Sequence, residues 1–319
     1  MHAVIRDTEQ TDAFPFLTLA GARERDPGRL VLFLVLGVLA AGVGGLLAGL
    51  AITLGFAVAR AGGNPRAVAD ALDSLTRNAA SGRPLLSYSY ELTVAGVASI
   101  AAAWAALAVA SGIFGRPIRS FLTAAPRFRW RVVGAGFAVG FPLVAVAFLA
   151  ERAFAPSPLA APILTPGAGA GERAAYALIA AACLYLAAFA EEALFRGWLL
   201  QQTAAWTRNL IVILALNGAL FSLAHFDPNP ANLLLRAVMG AGWAWIALRT
   251  AGVEFTTGAH LANNLFIALF VMPVSFAPAK SGPFDIRPAL VELAMVLILA
   301  GVVELRLRRG ATKADPARA

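Results

Sequence analysis

The sequence predicts an all-α, polytopic membrane protein with about eight transmembrane helices and no sizeable soluble domain. Of the 319 residues, 59% are hydrophobic and only 14% are charged, whereas roughly a quarter of the residues in an ordinary soluble domain are charged. Apolar segments also recur at the length of about 20 residues that a helix needs to cross the ~30 Å hydrocarbon core of a bilayer. So few charges could not cover a water-facing surface.

The first apolar segment, residues 30–59, contains 30 residues without a charge. Because a signal-peptide core has only about 7 to 15 apolar residues, we predict a retained transmembrane helix. Seven further spans are predicted at 93–115, 132–150, 174–206, 209–226, 232–248, 253–273 and 288–304. Glycines four residues apart, Gly45 and Gly49 in the first span and Gly136 and Gly140 in the third, predict close helix packing.

The basic residues between the apolar segments predict the orientation of the chain. When successive segments are assigned to alternate sides, one side holds 17 Lys and Arg residues and the other holds eight. Cytoplasmic loops carry the basic excess, so we expect both termini in the cytosol. We expect one domain, with a cytoplasmic tail over 1–29, a bundle over 30–308 and a cytoplasmic tail over 309–319. The net charge of +8 is interpreted as this topology signal and not as a nucleic-acid surface.

Polar residues interrupt three of the later apolar segments. They are Glu191, Glu192 and Arg196 in the fourth span, Phe221 and His225 in the fifth, and His260 and Asn264 in the seventh. An ionisable group at hydrocarbon depth costs about 2.5 to 3.5 kcal/mol, so each needs a partner or a function. Residues four apart share a helix face, which predicts that Glu192 pairs with Arg196 and that His260 stacks with Asn264. Glu191 must then find its partner on another helix.

Helix rise predicts which of these groups can meet. Glu191 and His225 both lie about 22 to 24 Å from the turn between the fourth and fifth spans, so they are level. His260 lies only about 10 Å beyond the start of its span. The three groups meet if the hairpin between the fourth and fifth spans protrudes into the cytosol. Arg236 is interpreted as reaching the outer interface, and Asn217, two turns before His225, is undecided.

The three motifs resemble those of the CPBP family of intramembrane proteases, which includes the eukaryotic CAAX prenyl endopeptidase and bacterial Abi or bacteriocin-processing proteins. The family patterns EExxxR, FxxxH and HxxxN match at Glu191–Arg196, Phe221–His225 and His260–Asn264 in the same order. The similarity covers about residues 174–273, the protease-like core. It implies hydrolysis of a peptide bond in a membrane-associated protein or peptide near the cytosolic face, in a bacterial inner (plasma) membrane.

Two mechanisms are compatible with the same atoms. In the first, Glu191 and His225 activate a water molecule while His260 and Asn264 stabilise the oxyanion. In the second, Glu191, His225 and His260 bind zinc, which lowers the pKa of its bound water to about 7, and Asn264 is the oxyanion donor. The contiguous H-E-x-x-H motif of many soluble zinc proteases is absent from the sequence.

Two residues of the expected site have a structural role, and an alternative function is also open. In either mechanism Glu192 and Arg196 are expected to keep their helix in register. The alternative is a membrane transporter or immunity scaffold in which Glu191, His225 and His260 relay protons or cations. No paired inverted repeats favour transport. The lone cysteine, Cys183, excludes an intrachain disulfide framework.

Overall fold

The computed structural model describes residues 14–76, 84–154, 161–274 and 284–314, which form helices and turns. Short 3₁₀ turns occur at Ala22–Arg25, Pro65–Ala67 and Pro162–Leu164. In chain order the helices are α1 (Pro27–Arg60), α2 (Val68–Thr76), α3 (Pro84–Phe114), α4 (Arg119–Leu122), α5 (Trp130–Phe154), α6 (Ala170–Trp206), α7 (Leu210–Leu223), α8 (Pro230–Thr250), α9 (Glu254–Phe270) and α10 (Arg287–Ala314).

The all-α membrane fold is confirmed, but the count of eight spans is not. Among the described residues, six helices are long and apolar enough to cross a membrane, namely α1, α3, α5, α6, α8 and α10. The spans predicted at 209–226 and 253–273 correspond to α7 with 14 residues and α9 with 17 residues. Both are shorter than the ~20 residues that a crossing needs. The chain turns at 224–229 because Pro228 and Pro230 lack the N–H that a continuing helix requires.

Small residues let the helices approach closely, as the glycine pairs predicted. A Cβ atom at Gly45 of α1 would lie 3.3 Å from the Cβ of Ala102 in α3. A Cβ atom at Gly136 of α5 would lie 2.1 Å from the carbonyl oxygen of Phe255 in α9. A Cβ atom at Gly258 of α9 would lie 2.0 Å from the carbonyl oxygen of Val133 in α5. Backbone therefore packs on backbone where α5 meets α9.

The segment before α1 is not a free tail over the part that the structure describes. Phe16 is fully buried, and the carboxylate of Glu24 lies 2.8 Å from Nη1 of Arg116 in the loop after α3. Gln202, near the end of α6, donates a 2.7 Å hydrogen bond from Nε2 to the carbonyl of Glu24. Residues 1–13 and 315–319 of the two expected tails lie outside the described residues. The N-terminal segment thus packs over the end of the bundle where α6 and the loop after α3 meet.

Candidate active site

The first motif lies where α6 changes its helical geometry. The helix is α-helical through Glu192 and then π-helical over Ala193–Leu199. Such π segments are rare and occur frequently at functional sites. The pair predicted from the four-residue spacing is present, with Nη1 of Arg196 lying 3.1 Å from Oε1 of Glu192 and both side chains fully buried. This ion pair therefore spans the point where the helical geometry changes.

The second motif ends α7 and continues into the turn that follows it. Nδ1 of His225 lies 2.8 Å from the carbonyl oxygen of Phe221, and the two rings make an edge contact at 4.8 Å. Nε2 of His225 lies 3.9 Å from Oε2 of Glu191. The next residue, Phe226, has a φ of 49°, which is uncommon for a residue other than glycine. The imidazole is therefore held by its own helix end and directed toward α6.

The third motif lies on α9, whose beginning is anchored to the loop after α4. Glu254 is buried and pairs with Arg129, whose Nη2 lies 2.7 Å from Oε2. The backbone N–H of Val253 donates a 2.9 Å hydrogen bond to the carbonyl of Leu122. Six residues later His260 is buried, with its ring 4.8 Å from the ring of Trp243 in α8. These contacts fix the height and the direction of the His260 ring.

His260 contacts both carboxylates of the first motif. Its Nδ1 lies 2.9 Å from Oε1 of Glu192, and its Nε2 lies 3.7 Å from Oε2 of Glu191. From this level α6 continues for about 21 Å to its end at Trp206, whereas α9 begins only about 9 Å away. The hairpin between α6 and α7 therefore extends beyond the start of α9, which accounts for the unequal distances in the sequence.

Oε2 of Glu191 is the point on which the site converges. This oxygen is inaccessible to solvent and has no hydrogen-bond partner among the described residues. The 3.7 and 3.9 Å distances to His260 and His225 are too long for direct hydrogen bonds. Contacts of this length between polar atoms suit a bridging water molecule. The geometry thus leaves a carboxylate oxygen within reach of two imidazoles and bonded to neither.

Asn264 lies one helical turn after His260 and is half-buried. Its side-chain oxygen accepts a 3.2 Å hydrogen bond from Nδ2 of Asn263. The structure brings Glu191, Glu192, Arg196, His225 and His260 together. Among the contacts of the described residues, none joins Asn264 to this group. The role of Asn264 as an oxyanion donor stays a prediction.

The nitrogen and oxygen donors of the site are those that bind zinc, but in this structure they are not close enough together to hold an ion. Because Nδ1 of each histidine faces an acceptor, a backbone carbonyl in His225 and a carboxylate in His260, each Nδ1 carries a proton and each Nε2 of a neutral ring offers a lone pair. Outer partners of this kind orient metal-ligating histidines. However, the described residues contain no group of three His, Cys, Asp or Glu side chains arranged to hold an ion.

Two supporting features were missed by reasoning from the sequence. Arg196 lies between aromatic rings, with Cζ 4.1 Å from the ring centre of Phe221 and 5.6 Å from that of Trp243. Trp243 carries no ionisable group, so no local signal marked it. Arg236 does not reach outward alone, because its Nη1 lies 2.6 Å from Oδ2 of Asp227 in the turn after His225. The sequence indicated this turn only as a Pro-rich connection.

The Asp227 carboxylate holds that turn together. It accepts hydrogen bonds from Nη1 of Arg236, from Nδ2 of Asn232 at 3.0 Å and from the backbone N–H of Asn229 at 2.9 Å. Burial alone raises the pKa of Asp227, but the hydrogen bond from Arg236 and the two others outweigh burial and keep the pKa below its ordinary value. The charged form is therefore the one that the turn requires.

An apolar cavity of about 500 Å³ lies between α3, the start of α5 and α6. Its wall on α6 includes Phe189, two residues before Glu191. Trp104 of α3 and Phe128 and Trp130 near the start of α5 form the facing wall. Because residues two apart on an α-helix point about 200° apart, the cavity lies near the level of the first motif but not on the side of α6 that carries Glu191. The cavity could accommodate a hydrophobic chain.

Comparison with known proteins identifies the same region. Residues 173–266 match the family model of the Rce1-like type II CAAX prenyl endopeptidases, and this range contains all three motifs. The chain is 28% identical over 206 residues to the uncharacterized protein YyaK of Bacillus subtilis (strain 168), an alignment that covers 60% of this chain and 67% of YyaK. No solved structure matches the chain.

Proposed function

We propose that this protein belongs to the CPBP family and is an intramembrane endopeptidase that hydrolyses a peptide bond in a membrane-associated protein or peptide. The family match supports protease activity in general. The observation that carries the proposal is Oε2 of Glu191, a buried carboxylate oxygen without a hydrogen-bond partner among the described residues, which lies near Nε2 of both His225 and His260. An oxygen so placed is available to take a proton from a water molecule.

In this mechanism a water molecule donates hydrogen bonds to Oε2 of Glu191 and Nε2 of His225. Glu191 takes a proton as the water oxygen bonds to the substrate carbonyl carbon, and the carbonyl oxygen becomes an oxyanion. His260 and Asn264 are the donors that stabilise this oxyanion. The carbon–nitrogen bond then breaks as Glu191 passes its proton to the leaving amine.

A second form of the proposal assigns zinc to Glu191, His225 and His260. When bound, zinc would supply a water molecule of lowered pKa and would polarise the substrate carbonyl. The protonated Nδ1 atoms of both histidines support this form, whereas the separations of 3.7 and 3.9 Å around Glu191 require the donors to close. Glu192 and Arg196 hold α6 in register in both forms.

The cavity beside Phe189 supports a substrate with an apolar anchor. We propose that this anchor lies against α3 and α6 while the peptide extends toward Glu191. Lipid-anchored and transmembrane substrates share this chemistry, and a prenylated tail is one case of it. Binding of the anchor would concentrate the peptide at the site and orient its scissile bond.

The test uses purified protein in detergent micelles and a panel of fluorogenic peptides, each made with and without an apolar anchor. We expect cleavage of anchored peptides, weaker cleavage of the matched free peptides, and none by the Glu191→Gln variant at equal protein concentration. Cleavage by the variant at the wild-type rate would show that the activity does not depend on Glu191. A scaffold or a proton relay would leave every peptide intact.

We further propose that both termini and the loop after α3 face the cytosol, because the basic residues are concentrated on that side. A reporter that is active only in the cytosol, fused after Ala319, should be active. The same reporter in the loop at 161–169, on the opposite side, is the matched control and should be silent. Activity only on the far side would reverse the assignment.

A further inference from the structure

The buried amide of Asn217 lies on the face of α7 that contacts the first motif. Asn217, Phe221 and His225 are four residues apart and therefore share one face of the helix and its continuation. Phe221 contacts Arg196 and His225 approaches Glu191. Asn217 has no solvent exposure, and its Nδ2 donates a 2.6 Å hydrogen bond to the carbonyl oxygen of Phe195. All three side chains thus reach the same turn of α6.

The Phe195 carbonyl belongs to the π-helical part of α6. It also accepts the backbone N–H of Leu200, five residues later, which is the hydrogen bond that defines a π-helix. Asn217 therefore occupies the second lone pair of this carbonyl. The opposite side of the turn is equally close, since a Cβ atom at Gly197 would lie 2.4 Å from the carbonyl oxygen of Phe121. The turn is clamped between Asn217 and the Phe121 backbone.

The π turn sets the rotation of one half of α6 against the other. If it relaxed to a regular α-helix, the residues on one side would rotate by about 100° relative to those on the other. The first half is tied to His260 through Glu192, and the second half is tied to the N-terminal segment through Gln202. Such a rotation would break one of these connections, so the carboxylates depend on the π turn for their direction.

Burial of the Asn217 side chain costs free energy, because one of its polar atoms is left unpaired. Its Oδ1 is buried and has no hydrogen-bond partner among the described residues. An unpaired polar atom in an apolar bundle is unfavourable, and a leucine of similar size would avoid it. The single strong contact that Asn217 makes is the one to Phe195.

We propose that Asn217 is a positioning residue, which pins the π turn through the Phe195 carbonyl and so directs Glu191 toward His225. This inference rests on the proposed function for its effect on catalysis, but its structural part is independent of it. Asn217 touches neither carboxylate nor imidazole in the contacts described, so it acts through the backbone of α6.

The test compares Asn217→Leu and Asn217→Ala with Asn209→Ala, in full-length protein in detergent. Asn209 is the matched control because it caps the same helix, accepting the N–H groups of Ile211 and Val212, and lies about 12 Å along that helix from Asn217. Hydrogen exchange is measured over 193–199, and kcat and KM are measured on an anchored peptide. The alanine variant adds no atoms and covers the case in which the leucine variant does not fold.

We expect both Asn217 variants to exchange the amides of 193–199 about tenfold faster or more. Their kcat should fall about 10- to 100-fold with KM near the wild-type value. Asn209→Ala should lower the melting temperature and leave kcat and the exchange of 193–199 unchanged. Unchanged exchange in the Asn217 variants, or the same loss of kcat in Asn209→Ala, would overturn the inference. If the wild-type protein cleaves no anchored peptide, the protease proposal fails and exchange alone decides whether Asn217 pins the turn.

Discussion

The Glu191–Arg196 turn has a closed side and an open side, and it places one glutamate in each environment. On the closed side, Glu192 is fully buried and is paired with both Arg196 and His260. On the open side, the side chain of Glu191 is 30% exposed and Oε2 has no hydrogen-bond partner among the described residues. Oε2 of Glu192 also lacks a hydrogen-bond partner among the described residues, so the two carboxylates differ in their exposure and in their ion pairs. A fully buried carboxylate in an ion pair stabilises the fold, whereas a partly exposed one can reach water and exchange a proton. Neighbouring residues about 100° apart on one helix thus acquire different roles.

The largest expected effect is on the open side. Glu191→Gln keeps the size of the side chain but removes its basicity, so hydrolysis should fall by about 10² to 10⁴-fold. The melting temperature should stay near the wild-type value because Oε2 of Glu191 makes no hydrogen bond among the described residues that the amide would lose. Initial rates on an anchored peptide and thermal unfolding in detergent measure the two effects. Full activity in this variant would remove Glu191 from the mechanism.

On the closed side the main effect should be on stability. Glu192→Gln leaves Arg196 buried without its counter-ion, and breaking one member of such a pair costs about 3 to 5 kcal/mol. Neutralising the partner as well, in Glu192→Gln with Arg196→Met, should recover part of this loss. A double-mutant cycle on the unfolding free energy gives the coupling. If Glu192→Gln is as stable as the wild type but inactive, the two carboxylates have been assigned the wrong way round.

Metal content distinguishes the two forms of the open-side chemistry. The zinc form predicts about one metal ion per chain, its release by His225→Ala or His260→Ala, and loss of activity after chelation. The metal-free form predicts full activity in protein that elemental analysis finds to be free of metal. Asn264→Ala should lower activity in both forms without releasing metal, and so serves as the control.

The smallest expected effect concerns the turn that carries His225. Because the pKa of Asp227 is lower in the folded protein than its ordinary value, its stabilising contribution is complete above about pH 4 and is lost as the pH falls through the folded-state pKa. Unfolding midpoints measured from pH 6 down to pH 3 should therefore decline. Asp227→Asn should flatten this decline while lowering stability at pH 6. A decline of equal steepness in the variant would assign the acid sensitivity to other carboxylates.

The closed side was partly predictable from the sequence and the open side less so. Helical spacing predicted the Glu192–Arg196 pair because both residues lie on one helix. No spacing rule relates residues on different helices, and the sequence assigned a partner on another helix to Glu191 only, so the bond between Glu192 and His260 was not anticipated. The π turn was not predictable, since it depends on tertiary contacts at Phe195 and Gly197. Apolar length predicted the six long helices but overestimated α7, where the Pro-containing turn ends the helix.

Gly258 determines where His260 can lie, although it contacts none of the reacting groups. A Cβ atom at this position would lie 2.0 Å from the carbonyl oxygen of Val133 in α5, so even an alanine would push α9 away from α5. The displacement would reach His260, two residues further along the same helix. Random mutagenesis should therefore yield inactive variants at this glycine. Close packing of α9 on α5 therefore excludes every residue except glycine at position 258, just as the proposed chemistry restricts the residues of the site.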